Sequence, residues 1–583
     1  MLPEFAGRPL LLVLIAATPA VMRWLLGRRV VRLANDPAVA ERMLTLTRQS
    51  APVIALAIAA LLVLAPRSAF WTLPLVILLR LIAGYPIRRA LFGETWSLAR
   101  YLSFFVCLVV AVFGLWTVIA MLPVVVALAG RWEWPVAVLL AAVSIAWNAR
   151  TADVARWLLR TAPVQDAPTL DRFNTMAQAA AVSAPRFEVV SLRGGVLANA
   201  LALPSTRVPS VLFTDTLLAE LSGAETAAIC AHELAHLEYY STRRVRLMHL
   251  VTSAEILSGA AIVPIAHTLG MSALGLSALW YITLFGLGSW RARHRQRNET
   301  ASDVRAVALC GDPEALVRAL TKLYTLGRFP RRLDPQFERQ ATHPSLARRI
   351  RDIRRAAGTQ PAALEQSASF AAPGRSTVVT FEPGHVQWSE GEAATHTLSY
   401  SHLVEVRIAA AQSGPARLVV VERGGRRWTM PLESVDLARA QAVLDVVDGQ
   451  IGEAPLPSVW PRLARLVCAM AALPALLIGQ VAAALLALGV AFYQSAPLLA
   501  AAGVGAITAA ALTLRDSGLQ SRMSMLAFAL GAAGLGILAL ARAARAEQDD
   551  TRKPIALVAL AASAVAAVLM LFVAGADVIS IHQ

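Results

Sequence analysis

The sequence predicts a mainly helical, polytopic membrane protein with an α+β domain set among its spans and a small β-rich domain inserted later in the chain. Three observations predict it. Hydrophobic residues make up 57% of the 583 positions and the mean hydropathy is +0.56. Apolar runs of bilayer length occur toward both ends of the chain. Between Phe370 and Gly449 the apolar residues instead alternate with polar ones and no run is long enough to span.

The elements follow in chain order. Residues 1–150 are expected to hold about five spans, near 10–26, 52–64, 70–82, 102–128 and 136–147. The second and third are short, which fits tilted, re-entrant or tightly paired helices around Pro66 and Arg67. Residues 151–360 form the α+β domain, interrupted by a transmembrane hairpin at 249–290 with runs near 249–269 and 272–290. Orientation follows from arginine, because the chain has only two lysines, Lys322 and Lys553. Arg28, Arg29, Arg32, Arg42 and Arg48 mark the first loop as cytoplasmic, as do Arg88, Arg89 and Arg100 for the third and Arg150, Arg156 and Arg160 for the start of the α+β domain. The net charge of +16 therefore fits inside-retention and anionic lipid, with no nucleic acid partner expected. The Arg- and Ala-rich, Lys-poor composition points to a high-GC bacterium and so to a bacterial inner membrane. Cys107, Cys230, Cys310 and Cys468 show no paired spacing, and no disulfide is expected. The apolar N-terminal run lacks a small-residue cleavage site and reads as a retained span.

Within the α+β domain stands the motif His232-Glu233-Leu234-Ala235-His236. Two histidines four apart on a helix share a face, so both imidazoles reach one metal ion while Glu233 sits beside the open coordination position. With ten histidines in 583 residues, a chance match has odds of about one in a hundred. Ser222-Gly223-Ala224-Glu225 reads as a capping box that starts the helix. The bland alternative, a buried helix with two structural histidines, leaves two imidazoles and a carboxylate to satisfy. A third ligand is needed, and Glu299 and Asp303 lie four apart on a probable helix. At that spacing Glu299 can bind Zn2+ while Asp303 accepts a hydrogen bond from a ligand imidazole. Alone, such a pair is usually a solvated face. The 62 residues between His236 and Glu299 are mostly apolar, which threads the site through the membrane and sets it near a membrane face.

These residues resemble those of the HtpX-like and CAAX prenyl protease type 1 family of integral-membrane zinc metallopeptidases, over roughly residues 165–355. The resemblance rests on the two motifs above, on Asn199-Ala200-Leu201-Ala202-Leu203-Pro204, and on Thr342-His343-Pro344-Ser345 followed by Arg349-Ile350. It implies a zinc endopeptidase with His232, His236 and Glu299 as ligands and Glu233 as general base. It further implies that the strand at Asn199 pairs with substrate backbone and that His343 stabilises the transition state. The plainer readings are that Asn199 ends a turn and His343 caps a helix. One departure is visible, since Glu238-Tyr239-Tyr240-Ser241-Thr242 stands where many members carry further histidines.

Glu255 and His267 lie in the run at 249–269, where ionisable groups are costly. Either they line a wet interior above the metal, or His267 sits at the outer end and Glu255 snorkels. In the β-rich domain, 370–450, strands are expected at 377–381, 386–388, 397–398, 403–408, 417–422 and 427–430, with a helix at 436–447. This pattern is similar to the small pleckstrin-homology barrel at the level of fold alone, so a partner, a lipid head group, substrate or plain packing all remain open. His385, His396 and His402 lack ligand spacing. A Pro-rich linker, 455–461, leads to residues 462–583, with three or four spans near 466–492, 498–514, 525–540 and 555–572 whose topology stays open. The partners expected are therefore a protein or peptide substrate and the bilayer. The rival reading is a catalytically silent peptidase-like scaffold acting through the β-rich domain and the last spans.

Overall fold

A computed structural model describes residues 9–451, except 65–68, 272, 335–337, 339–340, 342, 360–362, 391–394, 411–413 and 425. The expected spans at 462–583, the Pro-rich linker and Cys468 lie outside the described residues.

A run of long helices comes first. They are α1 (Pro9–Val31), α2 (Val39–Leu64), α3 (Ala69–Phe92), α4 (Leu98–Leu128) and α5 (Glu133–Ala149), followed by the short amphipathic α6 (Thr151–Leu159). The α2 and α3 helices are longer than the apolar runs that flagged them, because polar turns at 39–51 and 83–92 continue each helix beyond its apolar part. A π-helical turn, Val110–Gly114, interrupts α4. Among the described residues three helices are long and apolar enough to cross a membrane: Leu98–Leu128, Gly130–Ala149 and Thr242–Thr268. Their sides carry Val138, Leu139, Leu250 and Leu257 outward, as lipid-facing helices do.

The α+β part follows, with β1 (Ala162–Pro163), α7 (Ala167–Ala179), β2 (Arg186–Val190), β3 (Ala200–Leu203), β4 (Ser210–Thr214), α8 (Asp215–Glu220), α9 (Gly223–Tyr239), α10 (Thr242–Thr268), α11 (Ala273–Cys310), α12 (Pro313–Leu326) and α13 (Leu346–Ala356). The sheet runs β1-β2-β4-β3, with β2 parallel to β4 and β3 antiparallel to it, so β3 is an edge strand. Every residue of β4 is buried. The core behind it joins Phe173, Phe187 and Phe213 to Ala228, Ile229, Leu234, Leu316 and Ile353. Small residues on α9 permit this close packing: Ala227, Ala228, Ala231 and Ala235 are all buried. The α11 helix runs unbroken from the hairpin out to Cys310, well past the apolar run.

The membrane part grips the approach to β3. Glu94, in the elbow between α3 and α4, is buried and receives Arg88, the Trp96 indole N–H at 3.0 Å and the Val196 N–H at 3.3 Å. Arg88 in turn donates to the Val196 carbonyl at 2.9 Å. Glycine is required here, since a Cβ on Gly195 would lie 2.4 Å from the Trp96 ring and Gly194 has φ +103°.

The β-rich stretch forms two antiparallel sheets over one apolar core. One sheet orders β5 (Ala368–Ala371), β6 (Thr377–Phe381), β7 (His385–Glu390) and β8 (His396–Ser399); the other orders β11 (Arg427–Pro431), β10 (Arg417–Glu422) and β9 (Leu403–Ala409). The helix α14 (Leu437–Val447) contributes Leu437, Ala440 and Leu444 to the same core as Phe370, Trp388 and Tyr400. Arg331 and Arg332, which follow α12, pair with Asp445 and Asp448, while Thr45 Oγ1 donates to the Ala410 carbonyl at 2.7 Å. These contacts seat the β-rich stretch against α2 and the segment leading to His343.

Candidate metal centre

Helix α9 begins at a capping box: the Ser222 hydroxyl accepts from the Glu225 N–H while Glu225 accepts from the Ser222 N–H at 2.8 Å. Two turns on, His232 and Glu233 are buried in a helix whose other buried residues, apart from Glu225 and Thr226 in its first turn, are apolar. His232 Nε2 and His236 Nε2 lie 3.1 Å apart. Glu299, buried on α11, brings Oε1 within 3.5 Å of His236 Nε2 and Oε2 within 3.7 Å of His232 Nε2. Donor atoms on one tetrahedral zinc at about 2.0–2.2 Å sit about 3.3–3.5 Å from one another. The observed triangle, with sides of 3.1, 3.5 and 3.7 Å, brackets that spacing, and its two imidazoles and one carboxylate are a zinc donor set.

Around the triangle the polar groups are paired in layers. His232 Nδ1 lies 2.9 Å from Asp303 Oδ1, a close contact without the alignment of a straight hydrogen bond. Asp303 is fully buried and receives Arg349 in a two-pronged pair, Nε to Oδ2 at 2.8 Å and Nη2 to Oδ1 at 2.7 Å. Ser302 Oγ is 3.1 Å from His236 Nδ1. The Glu233 Oε2 accepts the Ala202 N–H of β3 at 2.7 Å, so the edge strand is tied to the carboxylate between the histidines.

The charges follow from this packing. Burial alone pushes the Asp303 carboxyl up, but Arg349 and His232 outweigh it and hold it at about 2. Burial likewise opposes the charged form of His232, yet Asp303 and Glu299 raise it to about 9. His236 is lowered by burial and by its neighbour His232. Glu299, despite burial, is held well below the usual carboxylate range by His232 and His343.

The other candidates are placed as follows. His343 is more than half exposed, with Nδ1 2.6 Å from Glu299 Oε2. Asn199 is exposed and lies just before β3 rather than in it; its backbone is locked to Thr214, whose N–H donates to the Asn199 carbonyl at 3.0 Å. Glu255 does not snorkel but is buried and paired with Arg291, 2.8 Å away. His267 sits at the end of α10 away from the metal, exposed, with Nδ1 2.7 Å from Glu133. Neither lies beside the metal donors. Ser302 and the reach of Arg349 to Asp303 escaped sequence reasoning. Ser302 is three residues after Glu299, which puts it on the same helix face, whereas nothing in spacing connects Arg349 with a residue 46 positions earlier.

Residues 164–357 match the model of peptidase family M48, whose members are zinc-dependent metallopeptidases, and this segment holds every residue of the centre. No curated protein matches the chain. Among solved structures, the chain is similar to the crystal structure of S. mikatae Ste24p at 14% identity, over 58% of this chain and 98% of that one, with a TM-score of 0.34.

Proposed function

We propose that this protein is a membrane-embedded zinc endopeptidase that cleaves membrane-associated proteins or peptides at the cytoplasmic face of a bacterial inner membrane. The observation that carries the reading is the triangle of His232, His236 and Glu299 donor atoms inside a segment that matches peptidase family M48. These three residues hold the zinc. When bound, zinc polarises the scissile carbonyl and acidifies the attacking water.

The chain's own groups do the rest. Glu233, with one oxygen fixed by the Ala202 N–H, takes the water's proton on the other and returns it to the departing amine. Asp303, held by Arg349, orients His232, and Ser302 does the same for His236. With His343 Nδ1 donating to Glu299, Nε2 of that exposed ring donates to the developing oxyanion when the imidazole carries both protons. Substrate adds a strand along the edge of β3, entering at Asn199. The cytoplasmic face is supported by the arginines that flank the early spans. The two sheets and α14 are read as a pleckstrin-homology-like unit offering a surface to a partner or lipid head group.

Glu233→Gln tests the reading. The variant is expected to keep zinc while cleavage of membrane proteins falls by about 10²–10⁴-fold. Membrane-protein profiles that are identical in cells carrying wild type and Glu233→Gln would instead favour the silent scaffold.

A further inference from the structure

The hairpin between His236 and Glu299 contains a charge pair that the chemistry above does not use. Glu255 lies midway along α10 and is buried. Arg291 of α11 reaches it with both terminal nitrogens, Nη2 at 2.8 Å from Oε1 and Nη1 at 3.3 Å from Oε2. The guanidinium also lies over the Trp116 ring of α4, 5.2 Å from its centroid. Toward the hairpin tip the contacts are neutral: the Trp280 indole donates to Ser258 at 3.0 Å, and a Cβ on Gly259 would lie 2.6 Å from that ring. The pair is thus a strong directional tie between α10 and α11 on the metal side of the hairpin.

Both helices lead straight to metal donors. Only two residues separate α10 from α9, which carries His232 and His236, and α11 continues without a break from Arg291 to Glu299. The eight residues from Arg291 to Glu299 correspond to about 12 Å of helix, and a slip of one residue moves Glu299 by about 1.5 Å. The donor triangle, with sides of 3.1, 3.5 and 3.7 Å, does not survive such a slip. Apolar contacts between membrane helices resist sliding weakly, because lipid tails offer the same contacts. A two-pronged charge pair fixes the axial position. Breaking it by removing one partner strands a charge where water is scarce.

We propose that Glu255 and Arg291 are positioning residues for the metal centre, their ion pair setting the register of α11 on α10 and so holding Glu299 against His232 and His236. The proposal rests on the zinc reading of the site. It is tested on full-length protein in detergent by competition with a chromophoric zinc chelator, a readout independent of turnover. Glu255→Gln and Arg291→Gln are each expected to weaken zinc binding by about tenfold or more, and the exchange Glu255→Arg with Arg291→Glu to recover most of it. Arg291→Lys, which keeps the charge but not the two-pronged bond, is expected to fall between wild type and Arg291→Gln. It serves as the comparison should the exchanged protein fail to fold. Zinc affinity unchanged in both single Gln variants overturns the proposal, as does an Arg291→Lys protein as weak as Arg291→Gln. If wild type itself binds no zinc, the site reading has failed rather than the positioning role.

Discussion

The metal centre and the β-rich stretch bury their side chains in opposite ways. Around α9, α11 and α13 the interior holds His232, Glu233, Glu299, Ser302, Asp303 and Arg349, each with a partner across an element boundary. Between β5 and α14 the interior is Phe370, Phe381, Trp388, Tyr400 and Trp428 with apolar neighbours, and its charged contacts lie at its border, where Arg331 and the buried Arg332 pair with Asp445 and Asp448. Burying polar groups costs free energy unless each is paired, so a paired polar interior marks the region where chemistry is kept. An apolar interior marks a unit that is stable for its own sake.

This contrast can be broken by substitution. Arg349→Met leaves the Asp303 carboxylate buried without its guanidinium and is expected to cost about 3–5 kcal/mol, read as a lowered denaturation midpoint together with loss of zinc. Trp388→Ala should cost a similar 3–5 kcal/mol or so through the cavity it opens, yet leave zinc content at the wild-type level. Zinc loss in that variant would mean that the two regions are not separable. Asp303→Asn, nearly the same size, is expected to weaken zinc binding by about 10–100-fold and to lower the denaturation midpoint as well, because it leaves the buried Arg349 guanidinium without its carboxylate.

A further effect concerns pH. His232 is raised to about 9 by Asp303 and Glu299 against its burial, and it must be neutral to bind metal. A proton therefore competes below that pH. Apparent zinc affinity should rise about tenfold per pH unit from 6.5 to 8.5 and level off above the shifted value. A flat profile over that range would contradict the raised His232 value. The same dependence is expected when His385 or His396 is replaced by Ala, since neither belongs to the donor group.

How far the sequence discloses these features depends on range. The capping box at Ser222, the shared face of His232 and His236, and the pairing of Glu299 with Asp303 on one helix are local regularities of 3.6 residues per turn, and all were legible. So were the strands at 377–381 and 417–422, short runs rich in β-branched residues that need no distant partner to be read. The four-residue β3 was visible as a segment but not as the edge of a sheet, because order in a sheet is set by partners far along the chain. Arg349 to Asp303 and Glu255 to Arg291 are tertiary pairs with no spacing rule, and β5 was too short to register as a full strand.

Zinc-edge X-ray absorption of the purified full-length protein tests the central claim most directly. A spectrum of two imidazole nitrogens with oxygen in the remaining positions, at about 2.0–2.2 Å, losing an oxygen ligand or the metal itself in Glu299→Ala, is the expected result. A sulfur ligand from Cys230, or a spectrum that Glu299→Ala leaves unchanged, would contradict the assignment of His232, His236 and Glu299.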